Sequence, residues 1–297
     1  MKKTVISMVA VCALFIAGVS MAEQIDRTLD VDKEARISIS NLSGDVEVRG
    51  WDENRVHITG ELGDDVEELV FERDGKHVTI KVKIPDRSWG KKDVTSELNI
   101  RVPTRSSLNI STVSADIDVD GVRGEQRLQT VSGDVTVEAF DAEINAEAVS
   151  GDVDVVGNGS AGIWRFATVS GDISVKDVSG ELQAEVVSGD IEVNGGTFER
   201  AMLETVNGEI EFNAGLRGGA KMDVESVNGS VDIKFAGDVS ARFEIETFNG
   251  GIRNCFGPKP ERTSRHAPGW ELDFTEGSGD GRVTIETLNG RVTICKD

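Results

Sequence analysis

Histidine, cysteine, proline and positive charge are all scarce in this chain, and each scarcity closes off a class of function. Its 297 residues include three histidines, His57, His77 and His266, no two at a spacing that would hold a metal ion. No Ser–His–Asp context for nucleophilic catalysis is present, and no glycine-rich phosphate loop. Lys and Arg total 32 against 53 Asp and Glu, a formal net charge of −21. Nucleic acid is bound through Lys and Arg, so this balance excludes it as a partner and disfavours anionic lipid. It favours solubility, and it favours cations or basic proteins as partners. Beyond residue 22 no apolar run is long enough to span a bilayer.

Residues 1–22 read as a secretory signal peptide. Lys2 and Lys3 form the charged start, Val5 to Val19 is almost wholly apolar, and Ser20-Met21-Ala22 fits the small-x-small cleavage rule. Cleavage would remove two lysines and leave a net charge of −23 with no integral membrane segment. The expected location is the periplasm or cell surface of a bacterium.

What the chain has in abundance is one repeated unit, typified by Glu185-Val186-Val187-Ser188-Gly189-Asp190-Ile191-Glu192-Val193. Its glycine recurs at Gly44, Gly133, Gly151, Gly171, Gly189, Gly208, Gly229, Gly250 and Gly290, with Ala115 in the same role. From Ala115 onward the steps are 18, 18, 20, 18, 19, 21, 21 and 40 residues, a solenoid period. Two and four residues after each glycine stand apolar side chains, such as Ile173 and Val175; seven and five before it stand another pair, such as Trp164 and Phe166. Alternation of period two is strand chemistry with one face buried. Two residues before the glycine is a further apolar column, Val113, Val131, Val149, Val169, Val187, Val206, Val227, Phe248 and Leu288. This column is expected inside as well, with a corner or bulge just before it to absorb the change of phase. Two short strands cannot cover their own apolar face, but stacked copies can. The expectation is an all-β fold: a single-stranded, right-handed parallel β-helix, or β-solenoid, with rungs of about 18–21 residues. At the turns, glycine supplies a positive φ and Ser or Asn holds nearby backbone. The change from Ser132, Ser150, Ser170 and Ser188 to Asn207, Asn228, Asn249 and Asn289 opens the way to a ladder of stacked amides.

Cys255 and Cys295 each lie five residues after a motif glycine and so share one column. In an oxidising compartment they are expected to form a disulfide between adjacent rungs. The 40-residue step is then one rung carrying an insertion. Three domains of organisation follow: the signal peptide at 1–22, a more irregular N-terminal β region at 23–111, and β-helix repeats at 112–297. Within the second, strands are expected over Val56–Leu62, Glu68–Arg73, Val78–Ile84 and Leu98–Val102, either widening the first coils or capping the open end. Within the third, residues 256–280 hold three of the five prolines and a short strand at Trp270–Phe274.

The run Val46-Glu47-Val48-Arg49-Gly50-Trp51-Asp52-Glu53-Asn54-Arg55-Val56, followed by serial Val-Ser-Gly-Asp-Val/Ile-x-Val units, resembles the bacterial putative-adhesin family of β-strand-repeat proteins, a domain of unknown function. The resemblance covers nearly all of the chain after residue 22. It implies a β-helix on an exported protein and offers no catalytic residues. The proline-rich insertion and its cysteines depart from the pattern.

Two accounts fit the column of acids after the glycine, Asp116, Asp134, Asp152, Asp172, Asp190 and Glu209. Each Asp supports its own turn, or Asp134, Asp152, Asp172 and Asp190 bind Ca²⁺, although the Gly-Gly-x-Gly-x-Asp repeat of calcium β-rolls is absent. Trp164 is expected in the core; Trp51, Trp89 and Trp270 are either packing or platforms for sugar rings. His57 and His77 fall on strands, and His266 lies beside Arg262 and Arg265 in a basic patch. With no reaction centre or cofactor indicated, the expected function is a non-enzymatic, adhesin-like binding or scaffold protein of the envelope, its partner an envelope protein or glycan. The alternatives are a polysaccharide lyase or hydrolase, and a structural protein that polymerises end to end.

Overall fold

The computed structural model describes residues 23–85, 93–264 and 268–296. Residues 1–22, read above as a signal peptide, and Trp89, Arg265 and His266 lie outside these. Among the described residues there are twenty-three strands and no helix, all in one mixed sheet.

Each regular rung is a strand, a tight corner at the Ser/Asn-Gly pair and a second strand. The Gly133 rung, for example, is Gln126–Ser132 followed by Val135–Ala139. Each strand pairs in parallel with its equivalents one rung above and below: Ile144 opposes both Gln126 and Trp164, and Val153 opposes both Val135 and Ile173. The residues seven, five and three before the glycine, and two and four after it, face inward. Leu128, Thr130, Val135 and Val137 in one rung, and Leu203, Thr205, Ile210 and Phe212 in another, are all buried. The towers of like side chains form one continuous core. Toward the C-terminal end it becomes aromatic: Phe198, Phe212, Phe235 and Phe243 follow one another at centroid separations of 5.7, 6.2 and 5.8 Å.

Two expectations about the corner are corrected. The column two residues before the glycine is outside. Val113, Val131, Val149, Val169, Val187, Val206, Val227, Leu288 and Phe248 are 39–52% exposed, while their small neighbours Thr130, Thr168, Thr205 and Thr287 are buried. The first strand keeps its alternation through the valine, and the Ser or Asn after it is exposed as well, so the phase changes at the Ser/Asn-Gly pair and not before the valine. Nor is φ the main reason for the glycine. Gly133, Gly151, Gly171 and Gly189 have φ of 144–154°, but Gly208, Gly229, Gly250 and Gly290 are not in the left-handed region. What they share is contact between rungs. A Cβ on Gly208 would sit 1.8 Å from the carbonyl oxygen of Gly189, and one on Gly229 1.6 Å from that of Gly208.

A parallel coil in chain order describes only the middle. At the N-terminal end the second strand in the chain, Arg36–Trp51, lies one layer inside. It pairs on one side with Ser107–Asp120 and on the other with His77–Lys83 and Thr95–Pro103. Outside those, Glu68–Asp74 is antiparallel to His77–Lys83, Arg55–Leu62 is antiparallel to Thr95–Pro103, and Glu23–Asp30 is antiparallel to Arg55–Leu62. The Asp74-Gly75 turn joins one of these hairpins, Asp74 opposing His77. The C-terminal end repeats the device. The last rung, Gly281–Asn289 and Val292–Lys296, is slotted between the Gly229 rung and the Gly250 rung. The Gly250 rung is therefore outermost, and the insertion returns as Trp270–Glu276, antiparallel along it. Leu272 is buried there, and the Phe274 ring stacks 4.5 Å from Phe243. Cys255 and Cys295 are joined, their Cα atoms 4.8 Å apart.

Candidate functional site: a groove along the corner column

Parity along the first strand decides what the corner presents to solvent. With the residues at seven, five and three before the glycine inside, those at four and two before it point out. The latter are the valine column. The former are Gln129, Glu147, Ala167, Glu185, Glu204, Glu225, Glu286 and Glu246 in stack order, read from the inter-rung registers. Between the two columns run the small buried residues, which set the floor low. The result is an open groove of about 1020 Å³ that follows the stack from Ser111 and Gln129 to Phe248 and Leu288. One wall is Val131, Val149, Val169, Val187, Val206, Val227, Leu288 and Phe248; the other, over its last five rungs, is unbroken glutamate.

The floor hydroxyls hold the corner together. Thr168 Oγ1 donates to the carbonyl of Gly151 at 3.0 Å, and Thr205 Oγ1 to that of Gly189 at 3.3 Å. The carboxylates of the acidic wall face one another at rung spacing, ~4.8 Å, where like charges repel by roughly 1 kcal/mol per pair even in water. Among the described residues no cation pairs with Glu204, Glu225, Glu246 or Glu286. Partial burial, with Glu185 and Glu225 on either side, raises the Glu204 carboxyl above the ordinary carboxylate range.

The glutamate column follows from the alternation of the first strand as read from the sequence. The valine column follows too once the alternation is carried through the valine; a phase change placed before it hides that column.

The aspartate column sits on the far side of the turn. There Asp116 Oδ1 accepts the backbone N–H of Asp134 at 2.9 Å, and Asp134, Asp152 and Asp172 do the same for Asp152, Asp172 and Asp190 at 2.9, 2.8 and 2.8 Å. Each aspartate thus supports the next rung's turn, not its own. Among the described residues no group of three or more His, Cys, Asp or Glu is placed to hold a metal ion. On the other side of the glycine the serine column gives way to amides: Asn228 Nδ2 donates to Asn207 Oδ1, Asn289 to Asn228 and Asn249 to Asn289, at 3.0, 2.9 and 2.9 Å.

The remaining candidates do not gather at one place. The guanidinium groups of Arg55 and Arg101 lie over the Trp51 ring, 5.2 and 5.9 Å from its centroid, and Arg262 covers Trp270 at 4.7 Å. Trp164 is buried and donates from Nε1 to the carbonyl of Ser179 at 2.7 Å. His57 Nε2 is 2.9 Å from Asp26 Oδ1 across two N-terminal strands, and His77 is exposed at a strand start.

With fold and groove in view, comparison with known proteins decides the family: the profile of Toastrack DUF4097 matches residues 34–295. This chain belongs to the Toastrack DUF4097 family. Among solved structures it is similar to a "putative lipid binding protein" from Parabacteroides distasonis ATCC 8503, at 14% identity and a TM-score of 0.43, covering 92% of this chain and 96% of that one. It is also similar to a "putative adhesin" from Bacteroides fragilis NCTC 9343, at 13% identity, a TM-score of 0.38 and coverage of 92% and 97%. A "putative cell adhesion protein" from Clostridium sporogenes ATCC 15579 aligns at 11% identity and a TM-score of 0.25, covering 93% and 100%. These likenesses are too distant to carry a function to this Toastrack protein. No curated protein matches it. Among the described residues no helix is long and apolar enough to cross a membrane.

Proposed function

We propose that this Toastrack protein is an exported, non-enzymatic binding or scaffold module of the bacterial envelope, its middle wound as a right-handed parallel β-helix. The observation that carries the reading is the groove: an extended surface, repeated rung after rung, that suits a long partner and offers no point at which acids converge on one bond. Residues 1–22, with their charged start and apolar run, support export, and the Cys255–Cys295 disulfide is chemistry of an oxidising compartment. The partner is an envelope protein or a glycan. We read the aspartate column as structural, because its carboxylates already hold peptide N–H groups of the neighbouring rung. End-to-end polymerisation is disfavoured by the tips, where antiparallel strands cover the parallel edges.

The test is twofold. Incubation with acidic and neutral glycans should release no new reducing or unsaturated ends, and crosslinking in intact cells should trap a partner on groove residues. Glycan cleavage would replace the reading with an enzymatic one.

A further inference from the structure

We propose that the groove takes a cationic amphipathic α-helix presented by a partner protein. Its apolar face would lie on the ridge from Val131 to Phe248 and its Lys or Arg flank along Glu185, Glu204, Glu225, Glu286 and Glu246. The proposal rests on the binding-module reading and names the class of occupant.

Three features select it. The first is the pairing of an apolar wall with an acidic one. The ridge residues are about half exposed, and among the described residues no cation pairs with Glu185, Glu204, Glu225, Glu246 or Glu286. A second copy of this chain would bring another acidic column against the first, on a protein of net charge −21. A neutral lipid surface would cover the valines and leave the glutamates unmatched. A helix with one apolar and one basic face satisfies both walls.

The second is spacing. Rungs repeat every ~4.8 Å, against ~5.4 Å per helical turn, so one side chain per turn stays near register over three or four turns. An extended strand places same-side residues about 6.8 Å apart and falls out of step at once. The third is length. Five glutamates span about 19 Å, which is about thirteen residues of helix, and the whole ridge spans about 34 Å.

The probe is a fluorescein-labelled peptide of about 18 residues made only of leucine and lysine, its leucines at helical spacing on one face. Binding is read by anisotropy at low salt and by far-UV circular dichroism. The protein has no helix among its described residues, so a gain in helical signal on mixing belongs to the peptide. Saturable binding with helix gain is expected. A peptide of the same composition with its leucines scattered should bind about tenfold more weakly. The double variants Glu204→Gln/Glu225→Gln and Val187→Ser/Val206→Ser should each weaken binding by about tenfold. All four positions are wholly or partly exposed, and unchanged melting curves would show that the fold survives.

Equal binding of the scattered peptide would reduce the effect to bulk charge and overturn the proposal, as would indifference of either double variant. Uptake by phosphatidylcholine vesicles without peptide binding would assign the ridge to a lipid surface instead. A dimer abolished by Val187→Ser/Val206→Ser would assign it to a second copy. If crosslinking finds a glycan seated in the groove, the helix is wrong and the binding-module reading stands.

Discussion

Between Ser107 and Phe235 every pairing is parallel and each rung follows its predecessor in the chain; at the two ends neither is true. The middle can be simple because each strand finds both hydrogen-bonding partners and both core neighbours in copies of itself. An end copy lacks one neighbour. The chain handles both ends alike: a segment close in sequence to each end of the described chain is placed one layer in, paired on both sides, and the exposed tip is made from strands that turn back antiparallel. The arrangement covers parallel edges that would otherwise pair with another molecule. The ends differ in two respects. The C-terminal one adds a disulfide between the interpolated rung and the outermost one, and a cluster of Phe243, Phe256 and Phe274 under the returning strand.

The sharpest way to break the middle is at a corner glycine. Gly208→Ala puts a Cβ 1.8 Å from the backbone oxygen of Gly189 in the preceding rung, where neither side can yield without opening the stack. A loss of more than about 3 kcal/mol in urea unfolding is expected. Gly218→Ala, with nothing within 4 Å, should stay within about 0.5 kcal/mol. The C-terminal end is tested next. Cys255→Ser removes a link closing 40 residues and should cost about 2–4 kcal/mol. Hydrogen exchange should place the loss in Val231–Phe235 and beyond, leaving the rungs from Gln126 to Asn207 protected.

A smaller effect separates the two kinds of turn. Asp172→Ala leaves the Asp190 N–H without its acceptor and should cost about 1 kcal/mol. Asp172→Asn keeps an acceptor oxygen, removes one charge from the column and should be neutral to slightly stabilising. The smallest is a pH dependence confined to the stacked acids. Partial burial and Glu47 raise Asp118, a hydrogen bond from protonated Glu138 to Asp120 together with burial raises Glu138, and burial with neighbouring acids raises Glu204 and Glu211. A carboxyl raised in the folded state contributes stability that is full below the unfolded pKa and lost as pH rises through the folded one. Lowering the pH from about 7 to about 5 should therefore raise the melting temperature, and added salt should reproduce part of the gain at pH 7. A melting temperature that instead falls over this range would show that the columns do not strain one another.

Much of this was open to reading in advance. The spacing of Gly133 through Gly229 marks the rungs, the strands over 55–103 lie close to their expected bounds, and a shared column places Cys255 beside Cys295. The groove was harder, because Val187 and Ile191 are equally apolar and local sequence does not say which of two adjacent faces turns inward at a corner. At the tips the capping strands were legible and the order of the layers was not. The Gly250 rung carries the motif of any other, and nothing in it says that Gly281–Lys296 will slide in beneath it.

Residue chemistry alone, through period-two alternation and a step near twenty, settled that this chain is strands stacked on their own copies, since only a neighbouring repeat can cover such a narrow apolar face. The order of the layers and the outward turn of the valines came from tertiary packing. Each depends on which backbone edges remain unpaired and how closely two corners approach, and those quantities exist only once the rungs are in contact.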